Sequence, residues 1–225
     1  MDRRYTAWKK NRKLGDVYGG RRWTKREDNI FKRCHSLKPP LPTDSLPILI
    51  EDNPSRDFFF PISVQEADQT LKALPKHDYE GITHIWCRRA KKSDIVNGKA
   101  PWAEYICGSG VRIVILYPWP KTMKLTWPNK PSNRTINEFK RFGVDICRSG
   151  KLWLAKPTVA QLRKLYIELL LYHEVGHHIE LSSWRWSKAN NKQAEEYANQ
   201  YAIQKSATAT HIFNRLAKRS ALIEN

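Results

Sequence analysis

Apolar residues recur along this chain at two periods, and the switches between them mark its elements. Ser63-Val64-Gln65-Glu66 is a capping box. Behind it Val64, Ala67, Leu71 and Leu74 form a stripe at helical spacing, which predicts a helix over 63–74. Apolar, β-branched and aromatic runs then predict strands over 82–88, 111–117 and 124–127, the second nearly continuous and so central in its sheet. Residues 142–147 and 152–155 flank Arg148-Ser149-Gly150, a hairpin signal. Thr158 with Gln161 caps a helix that runs to about residue 181 and anchors itself through Leu162, Leu165, Leu169 and Leu170. Trp184 and Trp186 fall in the connection after it. A helix over 191–206 and a last, basic helix over 210–222 complete the pattern.

The first part of the chain lacks such periodicity. Residues 1–22 are basic, contain Gly15, Gly19 and Gly20, and read as extended. Thr24, with Glu27 three residues on, caps a short helix reaching Phe31. Six prolines between 38 and 61 read as a linker or a strap across the surface. The expected organisation is a basic, Pro-rich arm and linker over 1–57 and a compact domain over 58–225. Helix, then strands, then a block of helices predicts an α+β fold: a small, mostly antiparallel sheet on one side and helices packed below.

At 225 residues, 40% apolar and with nine Trp, the chain can bury one domain-sized core. Cys34, Cys87, Cys107 and Cys147 contain no C-x-x-C pair and suggest neither a disulfide framework nor a cysteine metal site. No apolar run approaches a membrane span and no signal-peptide pattern opens the chain. The expectation is an intracellular, cytoplasmic protein, which argues against a secreted digestive enzyme. Net charge is +18, and residues 1–38 hold 13 Lys/Arg against four acids, half of that excess. Arg3, Arg4, Lys9, Lys10, Arg12, Lys13, Arg21, Arg22, Lys25 and Arg26 lie in this arm, interleaved with Tyr5, Trp8, Tyr18 and Trp23. Such an arm suits phosphate contacts and stacking on exposed bases, so a nucleic acid is the expected partner and the nucleoid an expected place.

The chemistry concentrates at His173-Glu174-Val175-Gly176-His177. Residues four apart share a helix face, so His173 and His177 aim two imidazoles at one point, as a divalent metal requires. Glu174 is rotated off that face and can serve as a general base. A catalytic zinc takes three protein ligands and keeps its fourth position open. The third ligand should come from a neighbouring helix, and Glu195 is placed to supply it. Asn199, one turn beyond, faces the same way and can orient a zinc histidine. Glu196 reads instead as a solvated acid beside Lys192, His178 as a packed or surface histidine, and Glu180 as a weaker ligand than Glu195. Gly176, Ala198 and Ala202 leave room for close helix packing. Tyr172, Tyr197, Tyr201 and His211 are the candidates for steadying a developing oxyanion. Zn²⁺ is the expected cofactor, although Mn²⁺, Fe²⁺ or Co²⁺ fit similar donors.

His173-Glu174-Val175-Gly176-His177-His178, followed by Glu195-Glu196-Tyr197-Ala198-Asn199-Gln200-Tyr201-Ala202, resembles the signature of the ImmA/IrrE-type metallopeptidases over about residues 158–207. These are compact gluzincins, found on mobile elements and in stress-response regulators, that cut transcriptional repressors. The resemblance implies a zincin-like helix pair, with His173, His177 and Glu195 as metal ligands and Glu174 as base. The expected function is a zinc-dependent peptidase cleaving a specific protein substrate, such as a DNA-bound regulator. A SprT-like peptidase is disfavoured, because its usual third ligand is histidine. The competing class is a non-catalytic, zinc-containing nucleic-acid-binding protein with a peptidase-like core.

Overall fold

The structure, a computed structural model, describes residues 37–90, 101–108, 110–183 and 191–223, with backbone alone at 191 and over most of 210–223. The ten arm cations, the Thr24-capped helix, Cys34, Trp184 and Trp186 lie outside the described residues.

A four-stranded sheet is the platform for the site. Its strands are β1 (Ile48–Glu51), β3 (His84–Cys87), β5 (Val111–Leu116) and β4 (Ala103–Gly108), in that spatial order. β1 pairs parallel with β3, and β3 parallel with β5. Only β4 runs antiparallel to its neighbour, as a hairpin with β5. The largest sheet is therefore mixed rather than mostly antiparallel. The reason is the helical crossover after β1: a parallel partner needs a long connection. Here α1 (Val64–Leu71) and the short α2 (Lys76–Tyr79) provide it. The proline-rich stretch thus contributes a strand, and the sheet includes residues before Phe58.

The remaining strands are shorter. β2 (Phe58–Phe59) pairs antiparallel with β6 (Trp119–Pro120). β7 (Leu125–Trp127), β9 (Leu152–Ala155) and β8 (Ile146–Ser149) make a three-stranded antiparallel sheet. The β8–β9 hairpin expected from Arg148-Ser149-Gly150 is present, turning at Gly150 with φ +62°. α3 (Asn133–Arg141), capped by Ser132, lies between β7 and β8.

The capping boxes form as written in the sequence. Ser63 accepts from the Glu66 N–H and Thr158 from the Gln161 N–H, and both glutamate and glutamine side chains reach back to their caps. From Thr158 the chain winds as α4 (Val159–Leu165), a π-helical segment (Tyr166–Leu171) and α5 (Tyr172–Ser183). The two C-terminal helices expected at 191–206 and 210–222 are one continuous helix, α6 (Asn191–Ile223), since nothing between them breaks helical hydrogen bonding. α6 packs along α5 and the π segment.

One face of the main sheet meets these helices. Ile85, Cys87, Val114 and Leu116 join Leu71, Leu162, Ile167, Leu171 and Val175 in the principal core. Ile106, Val111, Ile113, Ile115 and Tyr117 form a second cluster, packed with Leu37, Trp86 and Ala90. Among the described residues no helix is long and apolar enough to cross a membrane.

Candidate metal centre

α5 and α6 meet at a point of backbone contact. A β-carbon built on Gly176 would fall 2.6 Å from the Cα and 3.2 Å from the carbonyl oxygen of Ala198. Only glycine allows this approach, and it brings the early turns of α6 against the face of α5 that carries the two histidines.

Three donors converge there. The Nε2 atoms of His173 and His177 are 3.0 Å apart. Glu195 straddles them, with Oε2 3.5 Å from His173 Nε2 and Oε1 3.5 Å from His177 Nε2. These two imidazoles hold the Glu195 carboxyl well below the usual carboxylate range. Donor atoms on a tetrahedral zinc with bonds of about 2.0–2.1 Å lie about 3.3–3.5 Å from one another. The observed separations and the N₂O donor set fit such an ion. Among the described residues no other group of three His, Cys, Asp or Glu side chains gathers this way, and Glu180 is not part of it.

Glu174 sits beside this triad with a different environment. It is 6% exposed, and burial pushes its carboxyl up to about 7. The His177 ring works against that shift, while Glu195 and Glu104 add to it. The Tyr105 backbone N–H donates to the Glu174 carboxylate and anchors it against β4. A cleft of about 400 Å³ runs between β4 and α5, and residues 103–107 form one wall. His173, Glu174, His177 and Glu195 form the opposite wall and floor.

β4 is an edge strand. The Tyr117 N–H donates to the Trp102 carbonyl. By the alternation of an antiparallel ladder, residues 104, 106 and 108 then turn their polar backbone groups toward β5. Ala103, Tyr105 and Cys107 turn theirs outward, over the cleft.

No protein-family model, curated protein or solved structure matches this chain.

The side chains expected to steady an oxyanion are elsewhere. Tyr172 is fully buried and its hydroxyl donates to the Thr70 carbonyl at 3.4 Å. Tyr201 donates to Asp78 Oδ2 at 2.7 Å, inside the protein. Tyr197 is 41% exposed and does not line the cleft. The three share helices with His173, His177 and Glu195 but emerge on other faces. The side chain of His211 lies outside the described residues. Asn199 makes no hydrogen bond to either histidine, because the rings turn Nε2 toward Glu195 and His173 Nδ1 is buried without a partner. Glu196 is an exposed acid 3.8 Å from Lys192.

The tyrosine that does reach the cleft is Tyr105, on a strand whose sequence gave no strong alternation. Its hydroxyl donates to His178 Nδ1 at 2.9 Å, and His178 Nε2–H donates to the Glu80 carbonyl at 3.0 Å. Burial lowers the pKa of His178 while the Glu80 carbonyl opposes the shift, and in the neutral ring Nδ1 is the acceptor for the Tyr105 hydroxyl. His178 is therefore a packed histidine that ties α5 to the cleft's edge strand.

Proposed function

We propose that this chain is a metal-dependent peptidase of the gluzincin type, with α5 and α6 as a zincin-like helix pair. The observation that carries the reading is the convergence of His173, His177 and Glu195 beside a buried Glu174, all facing the open edge of β4. When bound, Zn²⁺ supplies Lewis acidity, polarising a carbonyl and lowering the pKa of water from about 15.7 toward 7.

This chain's own residues do the rest. An extended peptide pairs with the outward backbone groups of Ala103 and Cys107 and with the Tyr105 carbonyl, the Tyr105 N–H being held by Glu174, and lies across the cleft as an added strand. Glu174 takes the proton of the attacking water as that water adds to the scissile carbonyl carbon. It then delivers the proton to the leaving amine. A carboxyl held near neutrality by burial suits both transfers, since proton exchange works best when pKa and working pH are close. The resemblance to ImmA/IrrE-type enzymes supports a narrow protein substrate, such as a DNA-bound regulator.

The excess of cations favours a second reading, a non-catalytic zinc protein that binds nucleic acid. A purely structural site has no use for Glu174, which weighs against it. The test is cleavage of candidate proteins by the full chain, with and without chelator, and by Glu174→Gln. The peptidase reading expects metal retention and loss of cleavage in Glu174→Gln. Cleavage at the wild-type rate by a metal-loaded Glu174→Gln removes the general-base assignment.

A further inference from the structure

The cleft is acidic, although the chain as a whole carries a net charge of +18. Its charged lining residues are Glu104, Glu174 and Glu195, with no Lys or Arg among them. Two of the three already have a place: Glu195 completes the donor triad, and Glu174 stands beside it. Glu104 is left over. It is half-buried, its Oε2 accepts from the Tyr117 hydroxyl at 2.9 Å, and among the described residues it forms no ion pair. Arg134 lies outside the lining, on Glu138 at 2.9 Å, and the Arg112 guanidinium lies against Gly81.

Strand register fixes where Glu104 points. Cross-strand partners share a sheet face. Glu104 pairs with Ile115, whereas Tyr105 pairs with Val114. Val114 belongs to the core under the helices and Ile115 to the second cluster. Glu104 therefore stands on the sheet face turned away from α5, beside Tyr117 of that cluster. β4 presents Glu104, Ile106 and Gly108 on this face, and of these only Glu104 is charged. The backbone groups of Glu104 go to β5, so a peptide added at the edge of β4 sets one residue abreast of Glu104 without a hydrogen bond to it. In an antiparallel addition such pairs bring facing side chains closest, with Cβ atoms about 4.5–5.5 Å apart. The next peptide residue lies abreast of Tyr105, whose N–H is on Glu174. The residue facing Glu104 thus adjoins the bond that Glu174 serves.

We propose that Glu104 selects a Lys or Arg side chain in the substrate, at the position beside the scissile bond that turns away from α5. Resting on the peptidase reading, this assignment makes the substrate an extended segment with a cation at that position. An ammonium or guanidinium there donates to the Glu104 carboxylate in a partly desolvated setting, where charge-assisted hydrogen bonds are strong. The Tyr117 hydroxyl holds the carboxylate in place before the peptide arrives. An acidic peptide is attracted by the chain's overall charge but meets a like charge at Glu104.

The test is cleavage of a randomised synthetic peptide library by the full, zinc-loaded chain, with the cut sites read by mass spectrometry. Wild type should favour Lys or Arg at one position beside the cut by about five- to tenfold, between the effect of an open cross-strand ion pair and that of a hydrogen bond to a charged group. Glu104→Gln keeps an acceptor for Tyr117 and removes the charge, so the preference should flatten. Glu104→Lys should turn it toward Asp or Glu. Asp145→Asn, which removes an exposed carboxylate outside the cleft, should leave it unchanged. Cleavage without a Lys/Arg preference, or a preference that survives Glu104→Gln, overturns the assignment and leaves the peptidase reading standing. Retention of the same library on immobilised, zinc-loaded Glu174→Gln reads the choice without turnover. A chain of net charge +18 holds anionic peptides non-specifically, so enrichment of Lys and Arg that vanishes in Glu174→Gln/Glu104→Gln supports the assignment, and its absence overturns it. Such enrichment without any cleavage by wild type counts against the peptidase reading alone.

Discussion

Gly176 and Ala198 touch backbone to backbone, and the cluster of His173, His177 and Glu195 is assembled around that contact. The site depends less on the histidine pair, which any helix would align, than on how near α6 can come with Glu195.

Gly176→Ala should therefore destabilise the protein although alanine is the better helix former. The propensity gain is about 1 kcal/mol. A β-carbon 2.6 Å from the Ala198 Cα forces the helices apart, and overpacking of this kind costs about 1–3 kcal/mol. Thermal melts and zinc titrations should show a lower Tm and weaker metal binding. An unchanged zinc affinity would mean that Glu195 does not need this approach.

Removing the metal should lower stability measurably. An ion present at about 100 times its Kd stabilises the folded state by about 2.7 kcal/mol. That is worth about 5–10 °C in Tm at this size, taking about 2–4 °C per kcal/mol. Chelator should produce such a drop in wild type and in Glu174→Gln. It should do little to Glu195→Ala, which lacks the third donor. A full chelator response in Glu195→Ala would reassign that ligand.

Asp78 holds the middle of α6 in place. Tyr201 donates to its Oδ2 at 2.7 Å and Lys205 Nζ lies 2.8 Å from the same atom, with Asp78 itself 6% exposed. Asp78→Asn should cost about 1–3 kcal/mol, because a buried hydroxyl and an ammonium both lose a charged acceptor. Chemical denaturation measures it, and a change within error would show that water replaces the carboxylate.

His84 sets an acid limit. It is 3% exposed, its Nδ1 lies 2.8 Å from the Thr83 hydroxyl oxygen, and burial lowers its pKa while Asp44 opposes the shift. A histidine with a depressed folded pKa binds fewer protons folded than unfolded. Its stabilising contribution is thus present above about pH 6.5 and lost as pH falls through the folded value. Melts from about pH 7.5 down to about pH 5 should show a smaller acid loss in His84→Gln than in wild type. Equal losses would place the acid sensitivity on other groups.

The parts of this fold that were legible in the sequence are those encoded within a few residues. Ser63 with Glu66 and Thr158 with Gln161 announce helix starts because each cap is a local hydrogen-bond exchange. The central strand 111–116 declares itself because it is buried on both faces. His173, His177 and Glu195 were readable because helical spacing fixes the first two and a neighbouring helix is the economical source of the third. Other features depend on distant partners. β1 hides among prolines, since its identity comes from pairing with β3. β4 has no clean alternation, and α3 is polar enough to pass for a loop. The tyrosines failed as candidates because a helical position fixes a direction only once the neighbouring packing is known. Tyr172 turns to Thr70 and Tyr201 to Asp78, while Tyr105 enters from an unrecognised strand.

The π segment at Tyr166–Leu171 governs all that follows it on the helix. A π turn accommodates about one residue more than an α turn over the same rise, and each residue turns an α-helix by about 100°. A chain one residue shorter here would wind as plain α-helix, with its core stripe still able to seat. Both imidazoles would then swing about 100° around the axis and leave the Glu195 carboxylate facing an empty flank. The aim of the two imidazoles is thus set by one surplus residue upstream of them, a wedge in the winding that no substitution of the histidines would reveal.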